Sequence, residues 1–345
     1  MPFAKKKGVS LKDIARQAGV SPATASFVLN GKQKQYRVSD EVAERIRNVA
    51  RELDYTPNGF AKSLRDGTSH TIGVIVSDIS NQFFADIVRQ IETYAENEGY
   101  MALFASSDES ASKLSELVDR MLSKEVDGMI LVPCAGSDDT VRKLIEKDVP
   151  LVLIDRYIPK LKTNYVCLNN RKSGYDATAH LLKNGFSKIG FLCYGSDMSN
   201  MKDRAEGYRQ AMTDAGHKDD INVKFVDFTV MEKSCRKGVD ALLENGADAV
   251  VFATNSIAVQ SLYYLNERGI RIPDDLGVVS FDSGSAFDFF YAPLTYIMQP
   301  LESMAKKAVE ILLEHLHAKD SLTQQVEADG TFVVQVSSKR PPLSH

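Results

Sequence analysis

The 345-residue chain lacks most features that announce an enzyme, a metalloprotein or a membrane protein. Its four cysteines, Cys134, Cys167, Cys193 and Cys235, include no CxxC pair, and three stand in apolar runs. Buried free thiols in a reducing compartment are expected, rather than a disulfide framework or a thiolate metal site. No apolar run reaches the roughly 18 residues that suggest a membrane span. No apolar h-region follows Lys5–Lys7, so no secretory leader is read. A soluble, cytoplasmic protein without a membrane partner is expected. No GxGxxG follows a strand-like run, which argues against a dinucleotide fold, and neither a P-loop nor a nucleophile elbow is present. His315 and His317 are two apart on a helical stretch and point to different faces, the wrong spacing for a joint metal site. The doublets Asp138-Asp139, Asp219-Asp220 and Asp274-Asp275 fall at loops or helix starts and read as caps. No enzyme activity, no cofactor and no metal are expected.

The chain also has little net charge, −4, but that balance hides an asymmetry. Residues 1–66 carry 13 Lys and Arg against 7 Asp and Glu, a net of +6; the rest carry 29 against 39, a net of −10. A small basic head on a large acidic body points to a polyanion partner for the head alone.

The head contains VSLKDIARQAGVSPATASFVLNG, residues 9–31. Leu11, Ile14, Ala15 and Ala18 recur at helical spacing, behind a Ser10–Asp13 capping box. Gly19 suits the left-handed position that ends this helix. Ser21 caps a second helix with Pro22 at its first position, Ala25, Val28 and Leu29 facing inward, and Gly31 at its close. Two helices joined by a turn this tight form the helix-turn-helix pattern, whose second helix enters a DNA major groove. A third helix follows from Ser39 to about Leu53, with Val42, Ile46, Val49, Ala50 and Leu53 on one face. Residues 54–71 form a linker in which Phe60–Arg65 has about two turns of helical potential, too short to fold without a partner.

From Thr71 onward, continuous apolar runs alternate with amphipathic helical stretches. The runs are 72–76, 100–105, 128–133 and 151–155, then 188–194, 222–228, 248–253 and 276–281. Buried strands alternating with helices imply parallel α/β units, here in two halves with a cleft between them. A helix at about 300–317 and a strand at 331–336 complete the pattern, and KRPPLSH reads as a frayed tail.

Together, VSLKDIARQAGVSPATASFVLNG, YTPNGFAKSLRDG, IGVIVSDISNQFF, IPDDLGVVSFD and PLTYIMQP resemble, in this order, the lactose-repressor/galactose-repressor family of bacterial transcription regulators. The resemblance spans nearly the whole chain. It implies an α-helical helix-turn-helix headpiece and an α/β two-lobed body of the type I periplasmic-binding-protein kind with parallel sheets. The domains would be a headpiece at 1–57, a hinge helix at 58–70 and a ligand-binding and dimerisation body at 71–345. Within the body, an N-lobe would take about 71–168 and 299–327, and a C-lobe about 169–298 and 328–340.

By the same resemblance, Ser21, Pro22, Ala23, Thr24, Ser26, Phe27 and Asn30 would contact DNA, with Pro22 and Ala23 near base edges and Thr24, Ser26 and Asn30 on phosphates. Pro, Ala and Phe offer no hydrogen bonds to bases, so readout through thymine methyls and DNA shape is expected. Leu64 maps onto a minor-groove wedge. The sugar-site positions are Asn81, Phe83, Phe84, Asp155, Arg156, Arg204, Asp282 and Gln299, with Thr254-Asn255 where the family has Asn-Asp. Carboxylates accepting hydroxyls, arginine forks and aromatic rings against C–H faces make a coherent sugar site. A homodimeric repressor of carbohydrate genes is therefore expected, binding a pseudo-palindromic double-stranded operator and controlled by a small effector, a sugar or sugar derivative. A phosphorylated sugar or a nucleobase as effector, a stand-alone sugar-binding protein and a carbohydrate-processing enzyme remain as alternatives.

Overall fold

The computed structural model describes residues 9–55, 67–282, 284, 287, 289–318 and 322–340. The chain divides into two compact units, Met1–Ser69 and His70–His345.

In the first unit, α1 (Leu11–Gln17), α2 (Pro22–Leu29) and α3 (Asp40–Glu52) surround one small core. The local signals act as their chemistry dictates. Ser10 Oγ accepts from the Asp13 amide at 3.3 Å while Asp13 Oδ2 accepts from the Ser10 amide at 3.0 Å, closing the capping box. Ser21 Oγ accepts the Thr24 amide at 3.1 Å, and Ser39 Oγ that of Val42 at 3.4 Å. Gly19 (φ 66°) takes the left-handed conformation that turns the chain from α1 to α2. Ile14, Ala25, Ala43 and Ile46 are fully buried at the centre. Leu11, Leu29, Val42 and Leu53 lie only partly buried at its rim, so Ala43 rather than Val42 is the α3 residue facing inward.

The second unit contains two six-stranded sheets. The first is built from β1 (Thr71–Val76), β2 (Met101–Ser106), β3 (Gly128–Leu131), β4 (Leu151–Ile154), β5 (Asn164–Leu168) and β11 (Gln325–Ala328). Its order is β11-β5-β4-β3-β1-β2, all neighbours parallel. The second is built from β6 (Ile189–Tyr194), β7 (Asn222–Val226), β8 (Ala249–Phe252), β9 (Gly277–Phe281), β10 (Thr295–Met298) and β12 (Thr331–Val333). Its order is β12-β10-β9-β8-β6-β7, with only β12 antiparallel to its neighbour.

The helices are α4 (Gln82–Asn97), α5 (Ala111–Leu122), α6 (Asp138–Glu146), α7 (Asn170–Lys183), α8 (Ser199–Asp214), α9 (Met231–Glu244), α10 (Asn255–Glu267) and α11 (Leu301–His317). Strand residues alternate between two faces, and each face is covered. Ile72, Val74 and Val76 join one apolar cluster with α4 and α11, while Ile75, Met129 and Leu131 join another with α5 and α6. That double burial is why these strands read as unbroken apolar runs.

The chain passes between the sheets after β5, after β10 and between β11 and β12. The three crossings pack together: a Cβ on Gly330 would lie 2.7 Å from Ile297 Cγ2 and 3.2 Å from Leu168 Cδ1.

The sequence pattern had missed β5 and β11. β5 (NYVCL) opens with a polar and an amphipathic residue, and β11 (QVEA) lies at the sheet edge with alternating exposure, so neither is a continuous apolar run. The strand expected at 331–336 ends at Val333 and gives way to a 3₁₀ turn, Val336–Ser338. The tail is not frayed at its start: Arg340 Nη1 donates to the Gly185 carbonyl and approaches Asp248 Oδ2 at 3.3 Å, with its guanidinium over the Phe186 ring. Residues 341–345 lie outside the described residues.

Candidate DNA-reading helix and candidate effector cleft

On α2, Ser21, Pro22, Ala23 and Asn30 are exposed, and Thr24, Ser26 and Phe27 are half-buried. Their polar groups are engaged locally. The Ser21 and Thr24 hydroxyls are 2.9 Å apart, and Asn30 Nδ2 donates to the Ser26 carbonyl at 2.7 Å and to its hydroxyl at 3.2 Å. Phe27 is neither core nor free: its ring stacks on Tyr36, centroids 3.6 Å apart and planes 2° from parallel. Tyr36, 47 % exposed in the loop after α2, had no sequence signal because stacking partners outside a helix follow no period. Leu64 and the hinge Phe60–Arg65 lie outside the described residues.

In the second unit, a cleft of about 640 Å³ opens where strands of both sheets end. This is where open α/β sheets bind ligands. Asn81, Phe83, Phe84, Asp155, Arg156, Arg204, Thr254, Asn255, Asp282 and Gln299 all line it. Several have a structural duty as well. Asn81 Oδ1 caps α4 through the Phe83 amide (3.1 Å), and Thr254 Oγ1 caps α10 through the Ile257 amide (3.2 Å). Phe83 and Phe84 meet edge to face at 4.9 Å and belong to the core beneath the cleft.

Asp155 and Asp282 occupy equivalent places in the two sheets. Each follows a parallel strand, donates its backbone N–H to the next one (to Val166 O at 3.0 Å and Ile297 O at 2.9 Å), and adopts a left-handed backbone, φ 69° and 66°. That conformation costs a non-glycine residue roughly 1–2 kcal/mol, and asparagine and aspartate tolerate it best. Asp282 Oδ1 accepts from Gln299 Nε2 at 2.6 Å. Burial pushes the Asp282 carboxyl up to about 6, against the pull of Arg204 and Gln299. Gln299 Oε1 is buried and has no hydrogen-bond partner among the described residues.

Arg204, 1 % exposed, donates from Nε to Asn170 Oδ1 at 2.7 Å and from Nη1 to the Ala253 carbonyl at 2.5 Å, with its guanidinium 4.2 Å from the Phe281 ring centroid. Burial lowers its pKa, with Asp282 and Asp155 opposing. The position is set by close packing of α7 on α8. A Cβ on Gly174 would meet Arg204 O at 2.2 Å, and one on Gly207 would meet Arg171 O at 2.0 Å.

Glu109, Ser77, Asn200, Tyr194, Phe228, Ser256 and Gln260 also line the cleft and were missed from sequence. Glu109 had one usable signal, its place just beyond the end of β2. Asn200 and Ser256 join the lobes: Asn200 Nδ2 donates to Asp155 Oδ2 at 3.2 Å, and Asn81 Nδ2 to Ser256 Oγ at 3.2 Å.

The four cysteines are buried and free, and burial pushes their thiols up, Cys235 to about 11 and Cys193 to about 12. Among the described residues, no group of three His, Cys, Asp or Glu side chains is arranged to hold a metal, and no helix is long and apolar enough to cross a membrane.

Family models match two parts of the chain: the lacI family of bacterial regulatory proteins at residues 10–58, and the periplasmic binding protein-like domain at 178–338. The HTH-type transcriptional repressor PurR of Photobacterium profundum is 31% identical over 337 residues, 96% of this chain and 98% of that protein. The chain belongs to the lacI family. As a lacI-family protein it is a DNA-binding transcriptional regulator, with a helix-turn-helix head and a two-lobed body of parallel sheets. It is also similar to the ribose operon repressor of Haemophilus influenzae, 30% identical over 95% of this chain and 98% of that one. Among solved structures, a complex of the transcriptional regulator CelR with cellobiose superposes with a TM-score of 0.70 at 26% identity, covering 95% of this chain and 99% of that one.

Proposed function

We propose that this lacI-family protein represses carbohydrate-utilisation genes in the cytoplasm, as a homodimer on a pseudo-palindromic operator, and that a small sugar or sugar derivative bound between its lobes controls it. The observation that carries the reading is the shared cleft. Two buried carboxylates, Asp155 and Asp282, an arginine without a carboxylate ion pair among the described residues, Arg204, and the orphaned Gln299 Oε1 converge there beside Phe84 and Phe228. Carboxylates accept a sugar's hydroxyls, Arg204 donates to its oxygens, and the face of an aromatic ring covers the C–H face. The ribose operon repressor and the cellobiose complex among its relatives support the sugar reading. The aromatic side chains at the cleft wall also suit a flat nucleobase, which is the second reading.

In the head, Ser21, Pro22, Ala23, Thr24, Ser26, Phe27 and Asn30 would face the operator, and Leu64 of each hinge would wedge into its minor groove. The head would span 1–57, the hinge 58–70 and the effector and dimer body 71–345. No catalytic step is assigned to the chain. Ligand binding across Asn81–Ser256 and Asp155–Asn200 would change how the lobes close and so how a dimer presents its heads. A coupling of about 1–3 kcal/mol between sites gives a roughly 5–150-fold change in operator affinity.

The test begins with a thermal-shift screen of sugars and nucleobases on the whole protein, since a bound ligand stabilises by mass action. Arg204→Ala is then expected to lose the response to the active ligand while operator binding stays within about twofold, measured by fluorescence anisotropy. An unchanged response would remove the cleft from the proposal.

A further inference from the structure

Arg156 is a cleft cation that an anionic ligand would seek, and the protein has already engaged it. Nη1 and Nη2 donate to Oε2 and Oε1 of Glu109 at 3.0 and 2.9 Å, a two-pronged pair. Nε donates to Asp155 Oδ2 at 3.1 Å, and Nη2 to Ser77 Oγ at 3.3 Å. A guanidinium has five N–H donors, so four are used here. Two carboxylates face this one cation, with side-chain exposures of only 10 % for Arg156 and 23 % for Glu109. Glu109 reaches this place because it and Asp108 both take left-handed backbone, φ 55° and 52°, just after β2.

The rest of the lining offers an anion little. Asp78, Asp108 and Asp282 add carboxylates, and Arg204 is the other cation among the lining residues. Two of the helix N-termini that open on the cleft, ordinarily good anion sites, carry the protein's own caps, Asn81 on α4 and Thr254 on α10, whereas those of α8 and α9 have no side-chain cap. A phosphate group is best held by a free guanidinium fork; the fork of Arg156 is taken by Glu109, which leaves Arg204 as the remaining cation among five lining carboxylates. Hydroxyl groups, by contrast, donate to carboxylates and find them in excess.

We propose that Glu109 determines the class of ligand: by occupying Arg156, it makes the cleft select an uncharged polyhydroxyl compound, an unphosphorylated sugar, over the corresponding phosphate ester. The inference rests on the cleft being the effector site.

The experiment uses the full-length protein at constant ionic strength, followed by melting temperature and calorimetric titration. The probes are inorganic phosphate and pairs of free sugars with their phosphate esters. Wild type is expected to be stabilised by a free sugar and to show no saturable response to its ester or to phosphate. Glu109→Gln keeps the shape and a hydrogen bond to Arg156 but removes the charge. It is expected to gain a saturable phosphate response and about tenfold in the ester-to-sugar affinity ratio, equivalent to about 1.4 kcal/mol. The double variant Glu109→Gln/Arg156→Gln is expected to lose both gains. A wild type that prefers the ester, or a Glu109→Gln protein whose phosphate response and ratio match wild type, overturns the proposal. The phosphate arm reports on Glu109 without knowledge of the natural sugar. Free-sugar binding that survives Arg204→Ala unchanged overturns the cleft reading instead, and so separates the two failures.

Discussion

In the proposed effector site Asp282 would serve two ends that conflict. As an acceptor for a ligand it would have to be ionised, yet the fold buries it to 7 % exposure and pushes its carboxyl up to about 6. A carboxyl whose folded pKa exceeds its unfolded value stabilises the fold fully below about pH 4, and that contribution is lost as pH rises through about 6. At neutral pH the ionised group therefore costs roughly 3 kcal/mol in the ligand-free protein. Asp282→Asn keeps the size and removes the charge. Calorimetry at pH 7.5 is expected to show the variant melting above wild type without ligand, by the equivalent of about 1–3 kcal/mol, and the gap is expected to shrink by pH 4.5. Its sugar affinity is expected to fall at least tenfold, and wild-type affinity to decline as pH drops below about 6, where the carboxylate takes up its proton. A variant that melts below wild type at pH 7.5 contradicts the account. At this scale the family resemblance carried much: it implies Asp155, Arg156, Arg204, Asp282 and Gln299 as site positions, and they stand together in one cleft. Glu109 was not implied: its place just beyond β2 was a signal, but nothing local shows its approach to Arg156, 47 residues away.

Between residue and domain, the α7–α8 contact matters most for the cleft. Gly174 and Gly207 let the two backbones touch, and Arg204 lies on α8 within that contact, its Nε held by Asn170 at the start of α7. A methyl group on Gly207 has nowhere to go but into the Arg171 carbonyl, backbone that does not yield. Gly207→Ala is expected to destabilise by about 2 kcal/mol or more through overpacking, and to weaken ligand response beyond what the stability loss explains, measured by denaturant unfolding and titration well below the midpoint. A variant with normal stability and response would show that the helices separate freely. The caps at Ser10, Ser21 and Ser39 are legible in sequence because each joins residues three apart. The α7–α8 glycines are not, because nothing in sequence marks two glycines 33 positions apart as facing backbone across a helix pair.

For the whole molecule, charge separates the two tasks. The first 66 residues are net +6 and the remainder net −10, so the acidic body repels DNA while the head attracts it. Deleting residues 1–66 is expected to abolish operator binding and leave the thermal response to ligand intact. In the full protein the operator constant is expected to fall steeply with salt, with a log–log slope of about −0.9 for each phosphate neutralised. Binding that survives the deletion, or a flat salt dependence, would place the DNA contact elsewhere.

What the sequence alone determined is what depends on short spacing or on composition. The helix caps, the tight turn at Gly19, the apolar runs of the central strands and the basic head all arise from residues within a few positions of one another or from counts. The tertiary structure alone decided that β5 and β11 complete the first sheet, that Tyr36 lies against Phe27, that Arg340 is pinned to the Gly185 carbonyl, and that Glu109 occupies Arg156. Each of these depends on distances between groups remote in the chain. Such distances are set by how buried surfaces pack, and local backbone preference carries no record of them.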